Sequence, residues 1–375
     1  MSLRVLQVVP SLAATDGGPS EVALRLSTAL ADNGTEVDLA FTTAGDGEVE
    51  YQRSAERARS PRFHDHSFRR LSNGSFKYSR SLGSWLRANC KSFDIVHVHA
   101  VFSYPSISAA SAARAAAVPY VIRPAGTLNR WSLRQRALRK SLALKAGIGS
   151  ILQHSAAIHT TSSAEAADIE ERFPGVRTVV IPNGVDERLF DIPRQSSPSI
   201  LFLGRIHAKK RLDLLLQAFQ RTRAQAQGWS LSIAGDGPRD EVEKARALAE
   251  GVRNVRFLGW LDFDRKAAIL SASSIFVLPS ADENFAVAAA EAMAAGVPVI
   301  ATKNVGILTF LEGRRAGMVV EESADAIARA IDELAFDEQK RNAQSEAARN
   351  AASELFRWSK ISKTVRQLYD DILNS

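Results

Sequence analysis

Short β-branched runs alternate with alanine-rich amphipathic stretches along the whole chain. In the first half the runs predict strands over residues 3–9, 36–42, 95–98, 120–122, 157–160 and 178–181. The stretches between them predict helices over residues 19–32, 106–116, 129–153 and 164–172. Strands that alternate with helices in this way form parallel sheets covered by helices on both faces, so the predicted fold class is α/β.

The same alternation begins again in the second half, which indicates a second domain of the same kind. Its predicted strands span residues 199–203, 230–234, 255–258, 275–278, 297–301 and 318–320. A turn-rich segment from Pro182 to Asp186 separates the halves, and 375 residues exceed the length over which one hydrophobic core keeps growing. The segment 45–74 is rich in Arg, Ser and His without a clean period, and it is expected to be a long surface excursion.

The composition is that of an ordinary globular protein, with 45% hydrophobic and 24% charged residues, and it excludes a disordered chain. The single cysteine, Cys90, excludes an internal disulfide and fits a reducing compartment. The apolar run at the start ends at Pro10 and is too short for a signal-peptide core or a membrane span. A cytoplasmic location is therefore expected.

The net charge of +7 resides in the first half. Residues 1–180 hold 22 Lys and Arg against 15 Asp and Glu, whereas residues 181–375 hold 26 of each kind. The predicted helix 129–153 is basic and amphipathic, which suits an anionic membrane surface or a lipid-diphosphate acceptor, although a solvated helix face has the same pattern. Its basic residues are Arg130, Arg134, Arg136, Arg139, Lys140 and Lys145. Aromatic residues are sparse there and no recognition motif is present, so no nucleic-acid partner is expected.

Two glycine-containing turns before predicted helices suit a phosphate group. Gly17 and Gly18 precede the first helix, where small residues leave the helix amides open, unless the tight turn simply needs glycine. In the second half, Gly204 and Arg205 follow a strand and Lys210 precedes a helix. Two cations at the end of a strand can clamp a diphosphate, unless the run is only surface charge.

Two glutamates are candidates for binding hydroxyl groups. Glu283 is in the loop after a strand, and Glu291 is inside a helix of small residues. Those small residues let the helix lie close to the sheet and bring its first amides, around residues 285–287, to a ligand. A lone helix glutamate is more often solvated, but the Ala and Met neighbours of Glu291 favour its burial.

Histidines form two further groups of candidates. His97 and His99 end a strand, and we expect His97 to point into the packing and His99 towards an acceptor; a structural histidine at a strand end is the alternative. The sequence His64-Asp65-His66 contains metal-binding side chains but lies in the irregular excursion, so no metal site is predicted.

The motifs of the chain form an ordered set: Gly17-Gly18, Ile181-Pro-Asn-Gly-Val-Asp186, Gly204-Arg205 with Lys210, Ala234-Gly-Asp-Gly-Pro238, Phe257-Leu-Gly-Trp260, and Glu283 with Glu291. This set resembles the retaining glycosyltransferases of family four, which have the GT-B fold of two facing Rossmann-like domains. The resemblance covers nearly the whole chain and is specific as a set. It implies an acceptor-side domain over residues 1–182 with a crossing helix over 356–375, and a nucleotide-sugar domain over residues 183–355.

The resemblance also implies a role for each matching residue. Arg205 and Lys210 would hold the donor diphosphate, Glu291 the ribose hydroxyls and Glu283 the transferred sugar. Gly18 would close over the diphosphate, and the backbone near Leu261 would meet the base. The sugar hydroxyls would contact the backbone of Asn284, Phe285, Ala286 and Val287. The residues expected to take part in catalysis are Glu283, Arg205, Lys210 and His99, with His99 and Arg123 on the acceptor side. The leaving phosphate oxygen would help to deprotonate the acceptor, with no metal and no cofactor.

Two departures from the family pattern bear on specificity. Family members often have glycines where this chain has Asn284 and Ala286, and a histidine where it has Ala125. Similarity to bacterial exopolysaccharide transferases implies a UDP-sugar donor, UDP-glucose first, and a polysaccharide or lipid-linked acceptor in cell-envelope synthesis. The expected location is cytoplasmic, with peripheral contact to the anionic inner face of a membrane if the basic helix 129–153 is not simply a solvated face. A UDP-sugar epimerase and a non-catalytic scaffold of the same fold are the alternatives.

Overall fold

The computed structural model describes residues 2–13, 18–44, 60–71, 74–135, 137–311 and 313–375. The chain forms two compact units. The first is Met1–Gly184 with Trp358–Ser375, and the second is Val185–Arg357. Gly17, Arg136 and residues 45–59, which enter the sequence predictions, lie outside the described residues.

A seven-stranded parallel sheet is the centre of the first unit, in the order β3-β2-β1-β4-β5-β6-β7. Its strands are β1 (Arg4–Ser11), β2 (Glu36–Thr43), β3 (Phe63–Arg69), β4 (Ile95–His99), β5 (Tyr120–Arg123), β6 (Ala157–Thr160) and β7 (Thr178–Val180). Its helices are α1 (Gly18–Asp32), α2 (Arg80–Asn89), α3 (Tyr104–Ala115), α4 (Arg130–Arg134), α5 (Ala137–Ala143), α6 (Gly149–Gln153), α7 (Ser163–Arg172) and, from the end of the chain, α15 (Trp358–Leu373).

Both faces of this sheet are buried, which explains why its strands are continuous apolar runs. Leu6 and Val8 of β1 pack into one core cluster, and Leu3 and Val5 pack into the cluster on the opposite face. Helix α15 belongs to that second cluster. A β carbon at Gly184 would lie 2.3 Å from the Trp358 ring, so only glycine lets the chain pass this close to the start of α15.

A six-stranded parallel sheet is the centre of the second unit, in the order β10-β9-β8-β11-β12-β13. Its strands are β8 (Ser197–Leu203), β9 (Ser230–Ala234), β10 (Val255–Gly259), β11 (Ser273–Leu278), β12 (Val299–Thr302) and β13 (Gly317–Val320). Its helices are α8 (Leu212–Arg221), α9 (Arg223–Ala226), α10 (Arg239–Ala249), α11 (Phe263–Ala272), α12 (Val287–Ala294), α13 (Ala324–Phe336) and α14 (Glu338–Leu355). Strand β8 is next to β11, so the winding of the sheet reverses there. In open parallel sheets, ligands bind beyond the carboxyl ends of the strands at such a point.

The predicted α/β fold with parallel sheets is confirmed, but two local predictions in the first unit are wrong. Strand β3 lies inside the predicted surface excursion and pairs with β2 from Val37 and Phe63 to Thr43 and Arg69. As an edge strand it carries polar and charged side chains, which hide its period. The predicted helix 129–153 is divided. Helix α4 ends just before Gln135, which has an extended backbone, and a π-helical turn Leu144–Ile148, in which Gly147 has a φ of 134°, separates α5 from α6.

Within the described ranges, no helix combines the length and the apolar character that a membrane span requires.

Candidate functional site

Two ion pairs join the loops that follow β8 and β11. Lys210 Nζ lies 2.8 Å from Glu283 Oε1, and Lys209 Nζ lies 2.9 Å from Asp282 Oδ2. The backbone N–H of Ala281 also donates to the Lys209 carbonyl, at 3.0 Å. The Lys210 and Glu283 side chains are only 17% and 14% exposed. Two residues predicted for the site from separate motifs are therefore in direct contact where the winding of the sheet reverses.

The position of Lys210 follows from the local sequence. It ends the 3-10 turn Ala208–Lys210, which is capped by His207 when its Nδ1 accepts the Lys209 N–H at 3.2 Å. A β carbon at Gly204 would lie 3.5 Å from Lys210 Nζ, so the ammonium lies directly over the backbone at the end of β8. The next residue, Arg211, forms ion pairs with Asp213 and Glu322, so its guanidinium is already neutralised by two carboxylates.

Arg205 is the cation of this cluster that is open to solvent. Its side chain is exposed, and no hydrogen-bond acceptor for its guanidinium is found among the residues that the structure describes. Since the neighbouring lysines are matched by carboxylates, Arg205 leaves the cluster with an excess of positive charge. An anion is the ligand that such a cluster favours.

Glycines bring three strand ends into backbone contact beside these cations. A β carbon at Gly235 would lie 1.9 Å from the Gly204 carbonyl oxygen, and one at Gly237 would lie 2.0 Å from the Ile206 carbonyl oxygen. The Gly204 N–H donates to the Ala234 carbonyl at 3.0 Å, and the Gly235 N–H donates to the Gly259 carbonyl at 2.8 Å. Leu261 follows this contact by two residues and packs on the core of the second unit. The ends of β8, β9 and β10 therefore form a backbone surface with few side chains over it.

Glu283 is held by the loop after β12. Its N–H donates to the Asn304 carbonyl at 2.9 Å, and its carbonyl accepts the Gly306 N–H at 2.8 Å. The sequence does not indicate this support, because the segment of Asn304 and Gly306 contains no recognisable motif.

The start of α12 has an unusual backbone at Ala286, which has a φ of 72° and a ψ of 66°. An L-residue in this left-handed conformation is strained by about 1–2 kcal/mol relative to glycine. Because this backbone conformation favours glycine, it explains why family members often have glycine at the position of Ala286. The Ala286 methyl is buried, so this departure adds backbone strain and not side-chain bulk to the ligand pocket.

Phe285 contributes only its backbone to any ligand site. Its ring is buried and packs edge-on against Phe310 and Phe356, with centroid distances of 6.0 and 5.4 Å. Asn284 and Val287, on either side of Phe285 and Ala286, are partly exposed at the start of the helix. The first N–H groups of a helix have no acceptor within it, so this turn can donate to a ligand.

Glu291 is partly buried and forms an ion pair with Lys266 of α11. Its carboxylate is therefore not on a solvated helix face. Lys266 was not predicted, because a lysine on an amphipathic helix has the same pattern whether it is solvated or paired.

The two histidines of β4 lie on the same side of the strand, so the prediction that they point in opposite directions is wrong. Residues two apart in a strand share a face. Both rings are fully buried and stack with centroids 4.8 Å apart. His99 Nε2 donates to Gln7 Oε1 at 2.7 Å, Gln7 Nε2 donates to the Tyr369 hydroxyl at 2.9 Å, and this hydroxyl donates to His97 Nδ1 at 2.6 Å. Because His97 Nδ1 accepts a hydrogen bond in this chain, it carries no proton and the His97 ring is neutral.

Burial keeps this cluster of histidines uncharged. It lowers the pKa of His97 and of His99 well below the ordinary value, and it lowers the pKa of His159 to about 3. Burial also lowers the pKa of Arg123 to about 10, against the opposing charge of Glu165. Arg123 Nη2 donates to Asn183 Oδ1 at 2.5 Å. His99 and Arg123 have almost no exposed surface, so neither side chain is accessible to an acceptor in this structure, and their predicted place on the acceptor side stays a prediction.

The remaining candidates of the first unit lie apart from this cluster. Gly18 is the first residue of α1 and would have open space around a β carbon. His66 Nε2 lies 2.6 Å from Asp38 Oδ1, across β3 and β2. In the described part of the chain, no group of three or more His, Cys, Asp or Glu side chains is arranged to hold a metal ion.

Comparisons with known proteins agree on one family. A family model described as Glycosyl transferases group 1 matches residues 187–351, and one described as Glycosyltransferase Family 4 matches residues 16–189. The phosphatidyl-myo-inositol mannosyltransferase of Mycolicibacterium smegmatis is 27% identical over 99% of this chain and 94% of its own length. The glycogen synthase of Mycobacterium tuberculosis is 29% identical over 58% of this chain, and the match spans only 55% of that enzyme.

Solved structures show the same fold. HepE of Anabaena in complex with UDP and glucose has a TM-score of 0.76 at 17% identity, over 98% of this chain and all of its own. The sucrose-phosphate synthase of Thermosynechococcus elongatus has a TM-score of 0.77 at 21% identity, over 99% of both chains. At these identities the likeness establishes two Rossmann-like domains.

Proposed function

Since the chain is a glycosyltransferase of family 4 with the GT-B fold, we propose that it moves a hexose from a UDP-sugar to a saccharide or lipid-linked saccharide, with retention of configuration. The observation that carries the proposal is the cluster of Arg205, Lys210 and Glu283 at the ends of β8 and β11. HepE, which has the same fold, was solved with UDP and with UDP-glucose, and this supports UDP-glucose as the first donor to test.

The second unit binds the donor in this proposal. Arg205 is free to meet the diphosphate, and Lys210 can contact it while keeping Glu283, because an ammonium group has three hydrogens to donate. Glu283 then lies next to the sugar that the diphosphate carries, and the backbone of residues 284–287 contacts its hydroxyls. Glu291 accepts from the ribose hydroxyls, and the backbone near Leu261 meets the base.

The chemical step depends on charge and position. Negative charge grows on the diphosphate as its bond to the sugar breaks, and the fixed charges of Arg205 and Lys210 stabilise it there. The leaving oxygen takes the proton of the acceptor hydroxyl on the same face of the sugar, which retains the configuration. These cations supply the stabilisation that a metal ion provides in other transferases, so the scheme includes neither a metal nor a cofactor.

The first unit takes the acceptor in this proposal, and the turn of Gly18 at the start of α1 binds phosphate. Cell-envelope polysaccharide synthesis is the proposed pathway. The location is cytoplasmic, with the protein resting on the inner face of a membrane when the acceptor is lipid-linked.

Release of UDP from labelled nucleotide sugars tests the proposal. UDP-glucose should be transferred or slowly hydrolysed, and Glu283→Gln should abolish this while UDP still binds. Faster turnover of GDP-mannose would contradict the donor, formation of UDP-galactose would indicate an epimerase, and no affinity for any nucleotide would indicate a scaffold.

A further inference from the structure

The segment 130–146 of the first unit presents large apolar side chains to solvent. Leu138 of α5 is 83% exposed and Leu142 is 67% exposed. Residues four apart lie on one face of a helix, so the two leucines form a single apolar ridge. Isolated exposed leucines are common on protein surfaces, but a paired ridge on one short helix needs a covering partner more than a scattered residue does.

Positive charge surrounds this ridge. The side chains of Arg134, Arg139 and Lys145 are exposed, and none has an acceptor among the residues that the structure describes. No acidic residue occurs in the sequence between Asp94 and Glu165. Within its own segment of the chain the ridge is therefore accompanied by cations and by no acidic residue, which is the pattern of helices that lie in the headgroup region of anionic membranes.

A groove of about 410 Å³ lies beside the ridge, between α4 and α5 on one side and α7 on the other. Its walls include Arg134, Lys140 and Arg172. The acidic residues of the groove, Asp168 and Glu171, are both paired with Arg130. The Lys140 ammonium is held in place by the Ser132 carbonyl at 2.7 Å and the Ser132 hydroxyl at 2.9 Å. The groove is thus basic and large enough for the phosphate end of a lipid.

We propose that the surface formed by residues 130–146 docks on an anionic phospholipid bilayer, with Leu138 and Leu142 inserted between the lipids and a lipid phosphate in the groove beside them. Charge complementarity selects the anionic bilayer, since a neutral apolar partner would not account for the exposed cations Arg134, Arg139 and Lys145 beside the two leucines. Docking here would give the first unit direct access to a lipid-linked acceptor. Only this last consequence rests on the proposed function.

Vesicle flotation of the purified full-length chain, with no nucleotide sugar present, tests the proposal. The chain should float with vesicles that contain phosphatidylglycerol, more weakly as salt is added, and should not float with phosphatidylcholine alone. Leu138→Glu with Leu142→Glu should reduce the bound fraction at least about tenfold, since each removes an inserted leucine and adds a repelled charge. Arg134→Gln, Arg139→Gln and Lys145→Gln together should reduce it to a similar extent.

Matched controls lie in the second unit. Leu248 is also exposed, at 51%, and Leu248→Glu should not change flotation. Removing the exposed cations Arg239, Lys244 and Arg256 lowers the net charge by the same amount and should also have little effect. Circular dichroism would verify that every variant is folded, and UDP affinity should be unchanged in all of them.

Failure of the chain to float with anionic vesicles at low salt would overturn the proposal, and so would an equal loss of flotation in the Leu248→Glu control. If the Leu138 and Leu142 substitutions dissociate a dimer, a second copy of the chain is the partner of the ridge and the proposal is also overturned. Because lipid binding is measured without sugar transfer, this proposal and the proposed function fail separately.

Discussion

Arg205 and Lys210 differ in what they contact before a nucleotide binds, and alanine substitutions separate their contributions. Arg205 is exposed without an acceptor among the described residues, so Arg205→Ala should leave the free energy of unfolding within about 0.5 kcal/mol of the wild type. A hydrogen bond to a charged group contributes about 1.5–3 kcal/mol. The same substitution should therefore weaken UDP binding roughly tenfold to a hundredfold.

Lys210→Ala should have two effects. It removes the same kind of contact with the diphosphate, and it also removes the partner of the Glu283 carboxylate, which is only 14% exposed. A carboxylate left without its partner at this depth should lower the free energy of unfolding by about 1–2 kcal/mol. The two variants should thus bind UDP equally poorly but unfold at different temperatures.

Calorimetry with UDP and with uridine, together with thermal unfolding, checks this reasoning. Uridine has no phosphate, so its affinity should not change in either variant. Arg239→Ala removes an exposed cation from α10 of the same unit and serves as the control for net charge. If Arg205→Ala binds UDP as tightly as the wild type, or loses uridine and UDP to the same extent, the cations do not hold the diphosphate and the reasoning is refuted.

Three further substitutions test other parts of the structure. Burial lowers the pKa of His159 from 6.5 to about 3, so the unfolded chain binds a proton that the folded chain excludes. As the pH drops below 6.5, this one group should lower the free energy of unfolding by about 1.4 kcal/mol per pH unit, in addition to the contributions of His97 and His99. In melts against pH, His159→Gln should reduce the slope by that amount, and the exposed His154→Gln should not. Glu291→Gln should weaken the binding of UDP and of uridine equally, as measured by calorimetry, and should leave pyrophosphate binding unchanged. A loss of pyrophosphate affinity would contradict the proposed contact of Glu291 with the ribose. Gly235→Ala should lower the free energy of unfolding by several kcal/mol, because the new β carbon would meet the Gly204 carbonyl oxygen. Gly228 also has a positive φ but has open space around a β carbon, so Gly228→Ala should lower it by only about 1–2 kcal/mol. Equal melting temperatures of the two variants would contradict the contact at Gly235.

The buried strands were predictable because their physical cause is local. Strands β6 and β9 begin and end at the predicted residues, since both faces of each are covered and nearly every position must be apolar or small. Strand β3 escaped prediction because an edge strand is stabilised by its neighbour β2 and not by an apolar face of its own.

The candidate site was only partly predictable. Motifs located Lys210 and Glu283, but no local pattern shows that Lys266 pairs with Glu291 from another helix. The spacing of two residues between His97 and His99 already places both rings on one face of β4. Gln7, a polar residue inside an apolar run, was the available signal that a buried hydrogen-bond network lies behind them.

The membership of α15 in the first unit has a consequence for how the protein is made. Residues 1–184 leave the ribosome before the second unit, but Tyr369, which hydrogen bonds to Gln7 and His97, is translated after it. Until then the nascent sheet has unpaired polar groups in its interior and an uncovered apolar face. The unit whose translation begins first is therefore the last to be completed, and it is the one that chaperones would need to protect during synthesis.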